Sequence, residues 1–104
     1  MGKTVDVVVV DVVVTRHAAT LQWLEEEAGN YGLDISQARV VPSVSEDDVK
    51  GRIVVGNLPM HLASMCSRYF AVEFSSQPPR GQEYGINEMR SCGAHLTEYV
   101  VRRA

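Results

Sequence analysis

The chain is predicted to fold as an α/β domain with a mostly parallel sheet flanked by helices. Short runs of β-forming residues alternate with helical segments along its 104 residues, which is typical of such sheets. The first run is a near-continuous series of valines, as expected for a strand buried on both faces. A chain of this length corresponds to one domain, so residues 1–104 are predicted to form a single α/β domain.

Five runs of β-forming residues predict the strands. They are a valine-rich run that ends at Val14, then residues 38–41, 52–55, 69–74 and 96–103. Pro42 ends the second strand, because proline has no N–H group to donate to a ladder. The last run has strand composition at residues 98–101 but also shows helical spacing, and we favour a strand.

Three segments between these runs predict helices, at residues 18–28, 59–68 and 88–95. The first has an apolar stripe beside a face of three glutamates, and Gly29 stops it. The second begins at Pro59, since proline is tolerated at the first helical position. Asn87 is the expected cap of the third. Residues 31–37 are predicted to be a connector and residues 48–51 a turn.

The composition restricts the possible partners. The net charge is −3, whereas proteins that grip long nucleic acids usually have a basic surface, so duplex nucleic acid is not an expected partner. A small phosphorylated ligand held by a few arginines is compatible with this charge. No apolar stretch reaches the roughly 18 residues that span a bilayer, so we expect a cytoplasmic protein with no membrane partner.

The two cysteines do not predict a redox or metal site. Cys66 and Cys92 form no CxxC motif and have no metal-type spacing with histidine, so they are expected to be reduced thiols packed in the core. The chain also contains no GxGxxG, Walker or HExxH motif. No metal and no other cofactor is expected.

Three segments with phosphate-binding character follow predicted strands. Because the carboxyl ends of parallel strands share one edge, where open α/β sheets bind ligands, these segments are expected to meet at one crevice. The candidate ligand-binding residues are Thr15, Gly56, Asn57, Leu58, Pro59, Arg80, Gly81 and Glu83. The candidate catalytic residues are Arg16, His17 and His61.

The residue types explain these choices. A guanidinium, as in Arg16 or Arg80, matches phosphate oxygens, and the N-terminus of the following helix favours anions. An imidazole, as in His17 or His61, moves protons near neutral pH. Asn57 is suited to hydrogen-bond a base or a ribose hydroxyl. Each segment also has an ordinary structural explanation, as a strand-to-helix turn or a solvated loop.

Over about residues 8–102, the chain resembles the Csx-sixteen group of small accessory proteins of type III CRISPR systems. The residues that carry the resemblance are Val13–His17, Gly56–Pro59 with Leu62 and Ala63, Arg80–Gly81, and Cys92–Ala94 with Leu96 and Tyr99. Each motif is short, and their order and spacing make the resemblance specific. It implies a Rossmann-like fold related to CARF domains, which bind cyclic oligoadenylates, and a homodimer with the ligand ring across its two-fold axis.

The resemblance also implies a ring nuclease that degrades cyclic tetra-adenylate, the second messenger that activates CRISPR effector nucleases. Cleavage without a metal is expected if the ring is bent so that a 2′-hydroxyl attacks its own 3′-phosphate, giving a 2′,3′-cyclic phosphate. In this hypothesis Arg16 and Arg80 hold the phosphate, and His17 or His61 assists proton transfer.

Three other functions are compatible with the same residues. The first is a protein that sequesters cyclic oligoadenylate without cutting it. The second is a histidine phosphatase, because residues 14–18 resemble its first motif, although Ala18 replaces the usual glycine. The third is a structural module of a CRISPR complex that binds no nucleotide.

Overall fold

A computed structural model describes residues 7–78 and 84–104 of the chain. The strands are β1 (Val8–Val9), β2 (Val12–Val14), β3 (Leu33–Asp34), β4 (Arg39–Val41), β5 (Ile53–Gly56), β6 (Arg68–Glu73) and β7 (His95–Tyr99). The helices are α1 (Ala18–Glu27), α2 (Glu46–Val49), α3 (Met60–Ala63) and α4 (Ile86–Ser91), and a 3-10 turn at Ala28–Tyr31 continues α1.

The main sheet has the strand order β4-β2-β5-β6-β7, and only its β6–β7 pair is antiparallel among the described strands. A separate parallel pair joins β1 to β3. Within the main sheet, Val14 is in register with both Val41 and Gly56. The carboxyl ends of β4, β2 and β5 are therefore level, and the turns that follow them leave the sheet at one edge.

The two faces of the sheet are covered by different helices. On one face Val13, Val55 and Phe70 pack with Leu24 of α1 and Met89 of α4. On the other face the alternate residues of the same strands pack against α2 and α3. This arrangement confirms the predicted α/β class with a mostly parallel sheet flanked by helices, and it is compatible with a Rossmann-like fold.

Two predicted elements differ from the structure in the middle of the chain. The helix predicted over residues 59–68 ends at Ala63, because Arg68 already belongs to a strand that pairs with β5 and β7. The turn predicted at residues 48–51 contains the end of α2, which Ser45 and Asp48 stabilise. The Asp48 carboxylate accepts hydrogen bonds from the Ser45 backbone N–H (2.8 Å) and hydroxyl (3.1 Å), and these bonds lower its pKa.

Three smaller differences lie elsewhere. The connector predicted at residues 31–37 contains β3, which is too short to have a periodic signal of its own. α4 begins at Ile86 with Gly85 as its cap, so Asn87 lies inside the helix and does not cap it. The last segment is a strand, as favoured, but it ends at Tyr99, opposite Tyr69. No helix in the described ranges is both long and apolar enough to cross a bilayer.

Candidate functional site

A cleft of about 450 Å³ opens at the carboxyl ends of β2 and β5. After β2 the chain turns toward α1 on one face, and after β5 it turns toward α3 on the other. Neighbouring strands whose connections leave in opposite directions form a topological switch point, the usual ligand site of open α/β sheets. We call this space the switch-point cleft. Its third side is the loop after β4, at Pro42, Ser43 and Val44.

Two of the three predicted segments meet at the switch-point cleft. The predicted residues that line it are Thr15, Arg16, His17, Gly56, Asn57, Leu58 and Pro59. His61 is exposed on α3 and is not part of the lining. The candidates Arg80, Gly81 and Glu83 lie outside the described residues.

The β2–α1 turn presents groups that suit an anion. The Thr15 hydroxyl oxygen accepts a hydrogen bond from the His17 backbone N–H at 3.1 Å, which holds the turn. His17 occupies the cap position of α1, but its side chain makes no capping bond, and the first turn of α1 contains no acidic residue. The first N–H groups of a helix have no partner within the helix and carry partial positive charge, so this end of α1 is electrostatically suited to a negative ligand.

Arg16 is exposed at the rim of the cleft. Its Nε atom donates to the Pro42 carbonyl oxygen at 3.4 Å, which directs the side chain across the end of β4. None of the ion pairs in the described part of the chain includes Arg16. The guanidinium therefore keeps most of its donors for a ligand.

Gly56 allows β5 to lie close to β2 where the cleft begins. Its φ is +146°, and a Cβ atom there would collide with the Val14 carbonyl oxygen and lie 3.0 Å from the Val14 Cβ. The sequence predicts Gly56 as a ligand-binding residue. The structure shows that the nearest neighbour is the adjacent strand, so the glycine first of all determines the floor of the cleft.

The β5–α3 turn is tied to β6 by two hydrogen bonds. The Leu58 N–H donates to the Tyr69 hydroxyl at 3.0 Å, and the Val72 N–H donates to Asn57 Oδ1 at 3.1 Å. A backbone N–H can only donate, so the oxygen of the Asn57 amide must face it. The exposed Asn57 side chain is thereby oriented, and its NH₂ group has no acceptor among the described residues.

Sequence reasoning missed an aromatic wall on the α1 side of the cleft. Phe74 and Tyr84 both line it. The Tyr84 ring stacks on the His17 ring with centroids 5.1 Å apart and planes inclined by 29°, and Phe74 meets Tyr84 edge-on at 5.9 Å. The position of Phe74 at the end of a predicted strand was a usable signal. For Tyr84, nothing in the local sequence indicates a contact with His17.

The charge of the cleft differs from that of the chain. The chain has 13 Asp and Glu residues and a net charge of −3, yet none of the described residues that line the cleft is acidic. The polar side chains of this lining are a guanidinium, an imidazole, hydroxyls and an amide. Among the described residues, a phosphate would therefore meet donors without an opposing carboxylate.

Acidic and hydroxyl groups gather instead on β6 and β7, in what we call the β6–β7 polar cluster: Glu73, His95, Thr97 and Tyr99. Glu73 accepts hydrogen bonds from the Tyr99 hydroxyl at 2.5 Å and the Thr97 hydroxyl at 2.7 Å, and His95 Nε2 lies 3.7 Å from it. These contacts, the Tyr99 bond first, lower the pKa of Glu73, and the same bond raises the pKa of Tyr99. Within residues 7–78 and 84–104, no three His, Cys, Asp or Glu side chains are grouped so that they could hold a metal ion.

Comparison with known proteins supplies the family. The comparison with curated proteins found no match, and the comparison with solved structures found none. A family model matches residues 12–102, a range that contains β2, both turns of the switch-point cleft and β7. Because this match covers most of the chain, the protein belongs to the CRISPR-associated family described as "Putative CRISPR-associated protein (Cas_VVA1548)".

Proposed function

We propose that the protein is a ring nuclease of a type III CRISPR system, in the Csx-sixteen group, that binds and cleaves cyclic tetra-adenylate. The proposal rests on one observation: a chain of a CRISPR-associated family has a switch-point cleft that is lined by anion-binding groups. Arg16, His17 and the N-terminus of α1 meet there, and no acidic residue lines the described part of it. A ligand with phosphates joined to planar bases matches the donors of this cleft and the ring of Phe74 in its aromatic wall.

Binding would place one phosphate between Arg16 and the N-terminus of α1. The guanidinium and the helical N–H groups then neutralise its charge. The cleft volume of about 450 Å³ suits part of a four-nucleotide ring rather than all of it. A homodimer, as the resemblance implies, would supply two such clefts to one ring.

Cleavage would use the ligand's own 2′-hydroxyl as the nucleophile. The 2′ oxygen forms a bond to phosphorus while the bond from phosphorus to the 5′ oxygen breaks. The 2′ proton passes to the neutral His17 imidazole, and the leaving 5′ oxygen is protonated by the protonated imidazole or by water. The product is a linear oligoadenylate with a 2′,3′-cyclic phosphate and a 5′-hydroxyl. Arg16 stabilises the charge that develops on the phosphate.

His17 is the preferred proton-transfer residue because it lines the cleft. His61 follows Pro59 by two residues, but its side chain is exposed outside the lining. We therefore assign His61 the secondary role. Alanine variants of the two histidines, assayed side by side, would show which one the reaction needs.

The proposal is tested by incubating the protein with cyclic tetra-adenylate in excess EDTA and separating the products by chromatography with mass detection. Linear products that end in a 2′,3′-cyclic phosphate are expected. A ring with 2′-O-methyl groups is the matched control, and it should stay intact because it lacks the nucleophile. An unmodified ring that stays intact through long incubation with excess protein would refute the nuclease assignment.

A sequestering protein that holds the ring without cutting it is the second candidate. It is favoured by one observation: the ring nitrogens of His17 have no hydrogen-bond partner among the described residues, so no carboxylate or carbonyl there orients the imidazole. Tight binding of cyclic tetra-adenylate together with an intact ring in the same assay would establish this function instead.

A further inference from the structure

We infer that Tyr84 is a positioning residue for His17: its ring holds the imidazole in one orientation at the mouth of the switch-point cleft. The inference rests on the proposed function, in which His17 transfers a proton. It adds a residue that no sequence motif pointed to, and it assigns that residue a role in the orientation of a catalytic group.

Among the described residues, His17 has no hydrogen bond that holds its side chain. It is half-buried at the cap position of α1, with φ −107° and ψ 121°, and its backbone N–H and carbonyl make the local hydrogen bonds of the turn. Its imidazole makes no capping bond, and neither ring nitrogen has a partner among the described residues. The orientation of the ring therefore depends on packing.

Tyr84 supplies this packing. Its ring lies 5.1 Å from the imidazole centroid at an angle of 29°, close to an offset stack. Such a contact restricts rotation of the imidazole about its side-chain bonds while leaving both nitrogens in the plane of the ring accessible. A proton-transfer group needs a fixed ring plane and one nitrogen that is free to take the proton.

Tyr84 is itself held in place by packing against β6 and the core. Phe74, directly after β6, meets the Tyr84 ring edge-on at 5.9 Å and 81°. Both aromatic residues pack against the core that α1 and α4 share, and Met89 of α4 is fully buried there. The orientation of the imidazole therefore depends on contacts with β6 and α4, two elements that are distant from His17 in the sequence.

The contact uses the face of the tyrosine ring and not its hydroxyl. The Tyr84 hydroxyl has no hydrogen-bond partner among the described residues, while the ring contacts both His17 and Phe74. Tyr84→Phe should therefore preserve the stack, and Tyr84→Ala should remove it. Tyr31→Ala is the matched control, because Tyr31 is also an aromatic residue packed against a ring, Trp23, but does not line the cleft.

The test combines an NMR measurement with kinetics. In the wild-type protein and in Tyr84→Phe, the ring protons of His17 should resonate upfield because they lie over an aromatic face, and Tyr84→Ala should abolish this shift. With cyclic tetra-adenylate, Tyr84→Ala should lower kcat by about 10²-fold with KM within about twofold, since it disturbs orientation more than binding. Tyr84→Phe and Tyr31→Ala should keep wild-type kcat.

Two results would overturn the inference: a His17 ring shift that Tyr84→Ala leaves in place, or a kcat for Tyr84→Ala equal to that of the wild type. Failure of the proposed function has a different signature. If the wild-type protein leaves cyclic tetra-adenylate intact, the nuclease assignment fails. The NMR comparison of Tyr84→Ala with Tyr84→Phe then still decides whether Tyr84 orients the imidazole.

Discussion

The switch-point cleft and the β6–β7 polar cluster both gather polar side chains on the same sheet, but they satisfy them differently. In the β6–β7 polar cluster, Glu73 accepts two hydroxyl hydrogen bonds. On the opposite face of the same two strands, Arg68 forms two bonds to Glu98 at 2.8 and 2.9 Å. Among the described residues of the cleft, Arg16 has only a carbonyl partner and the Asn57 NH₂ group has no acceptor.

This difference separates polar groups that stabilise the fold from polar groups that are available to a ligand. Paired charges at the surface stabilise a protein only modestly, and their neighbours already satisfy them. Hydrogen-bond donors that meet at a cleft without carboxylates remain available to bind an anion. Substitutions in the two regions should therefore affect different properties, stability in one and ligand turnover in the other.

The largest expected effect is that of Arg16→Ala. Loss of the guanidinium removes a charge that would stabilise the phosphate in the transition state, so cleavage of cyclic tetra-adenylate should slow by about 10²- to 10³-fold. Thermal stability should stay near the wild-type value, because the side chain is exposed and forms no ion pair within the described chain. Both quantities are measurable by a chromatographic rate assay and calorimetry.

Arg68→Ala is the matched control for this prediction. It removes a guanidinium that is paired with Glu98 at the surface, so it should lower the free energy of unfolding only slightly and leave the cleavage rate unchanged. If both arginine variants slowed cleavage equally, the distinction between the two regions would be lost.

Gly56→Ala should be the most destabilising substitution of those proposed. Its Cβ would meet the Val14 carbonyl oxygen at a φ of +146°, so β5 and β2 must separate, at a cost of about 3 kcal/mol in the free energy of unfolding. Gly51→Ala is the control: its φ is +70°, but nothing lies within 4 Å of the added Cβ, so only backbone strain of about 1–2 kcal/mol is expected. Urea denaturation compares them, and equal losses would show that the contact with Val14 is unimportant.

Asn57→Asp should reduce ligand affinity by about tenfold or more while preserving the fold. The aspartate still offers an oxygen to the Val72 N–H, but it replaces the NH₂ donor with a negative charge that repels a phosphate. Asn57→Ala loses both interactions, so it should also lower stability. Calorimetric titration with cyclic tetra-adenylate measures the affinity, and unaltered binding by Asn57→Asp would remove this residue from the ligand site.

The smallest expected effect is a pH-dependent one in the β6–β7 polar cluster. The Tyr99 hydroxyl, then Thr97 and His95, lower the pKa of Glu73. A carboxyl whose folded pKa is lowered contributes stability above its ordinary pKa and loses it as the pH falls through the folded value. The difference in unfolding free energy between wild type and Glu73→Gln should therefore be greatest at neutral pH and shrink in acid.

A second variant isolates the cause of this shift. Tyr99→Phe removes the hydroxyl that contributes most, so NMR titration should find the pKa of Glu73 closer to its ordinary value. An unchanged Glu73 titration in Tyr99→Phe would contradict the assignment. Cleavage of cyclic tetra-adenylate should stay unchanged in both variants, as none of these side chains lines the cleft.

Several features of the fold were predictable because they have local causes. The valine run, the alternation of apolar runs with amphipathic segments and the proline and glycine signals depend on neighbouring residues, so they indicated the α/β class and most strand positions. Prediction was poorest for short elements. α2 and β3 have few residues. The Ser45–Asp48 hydrogen bonds stabilise α2, and pairing with β1 stabilises β3. The helix predicted to reach residue 68 ends at Ala63, because β6 begins at Arg68 and pairs with β5.

By itself, the sequence determined that turns suited to phosphate follow the β-forming runs, because the ends of strands and the starts of helices depend on neighbouring residues. Only the tertiary structure decided that β2 and β5 are neighbours with their helices on opposite faces, which brings Arg16 and His17 to the same cleft as Asn57. It alone decided that Tyr84 stacks on His17 and which end of the Asn57 amide faces the cleft. These features depend on contacts between residues far apart in the chain, which leave no periodic or compositional trace in the sequence around any one of them.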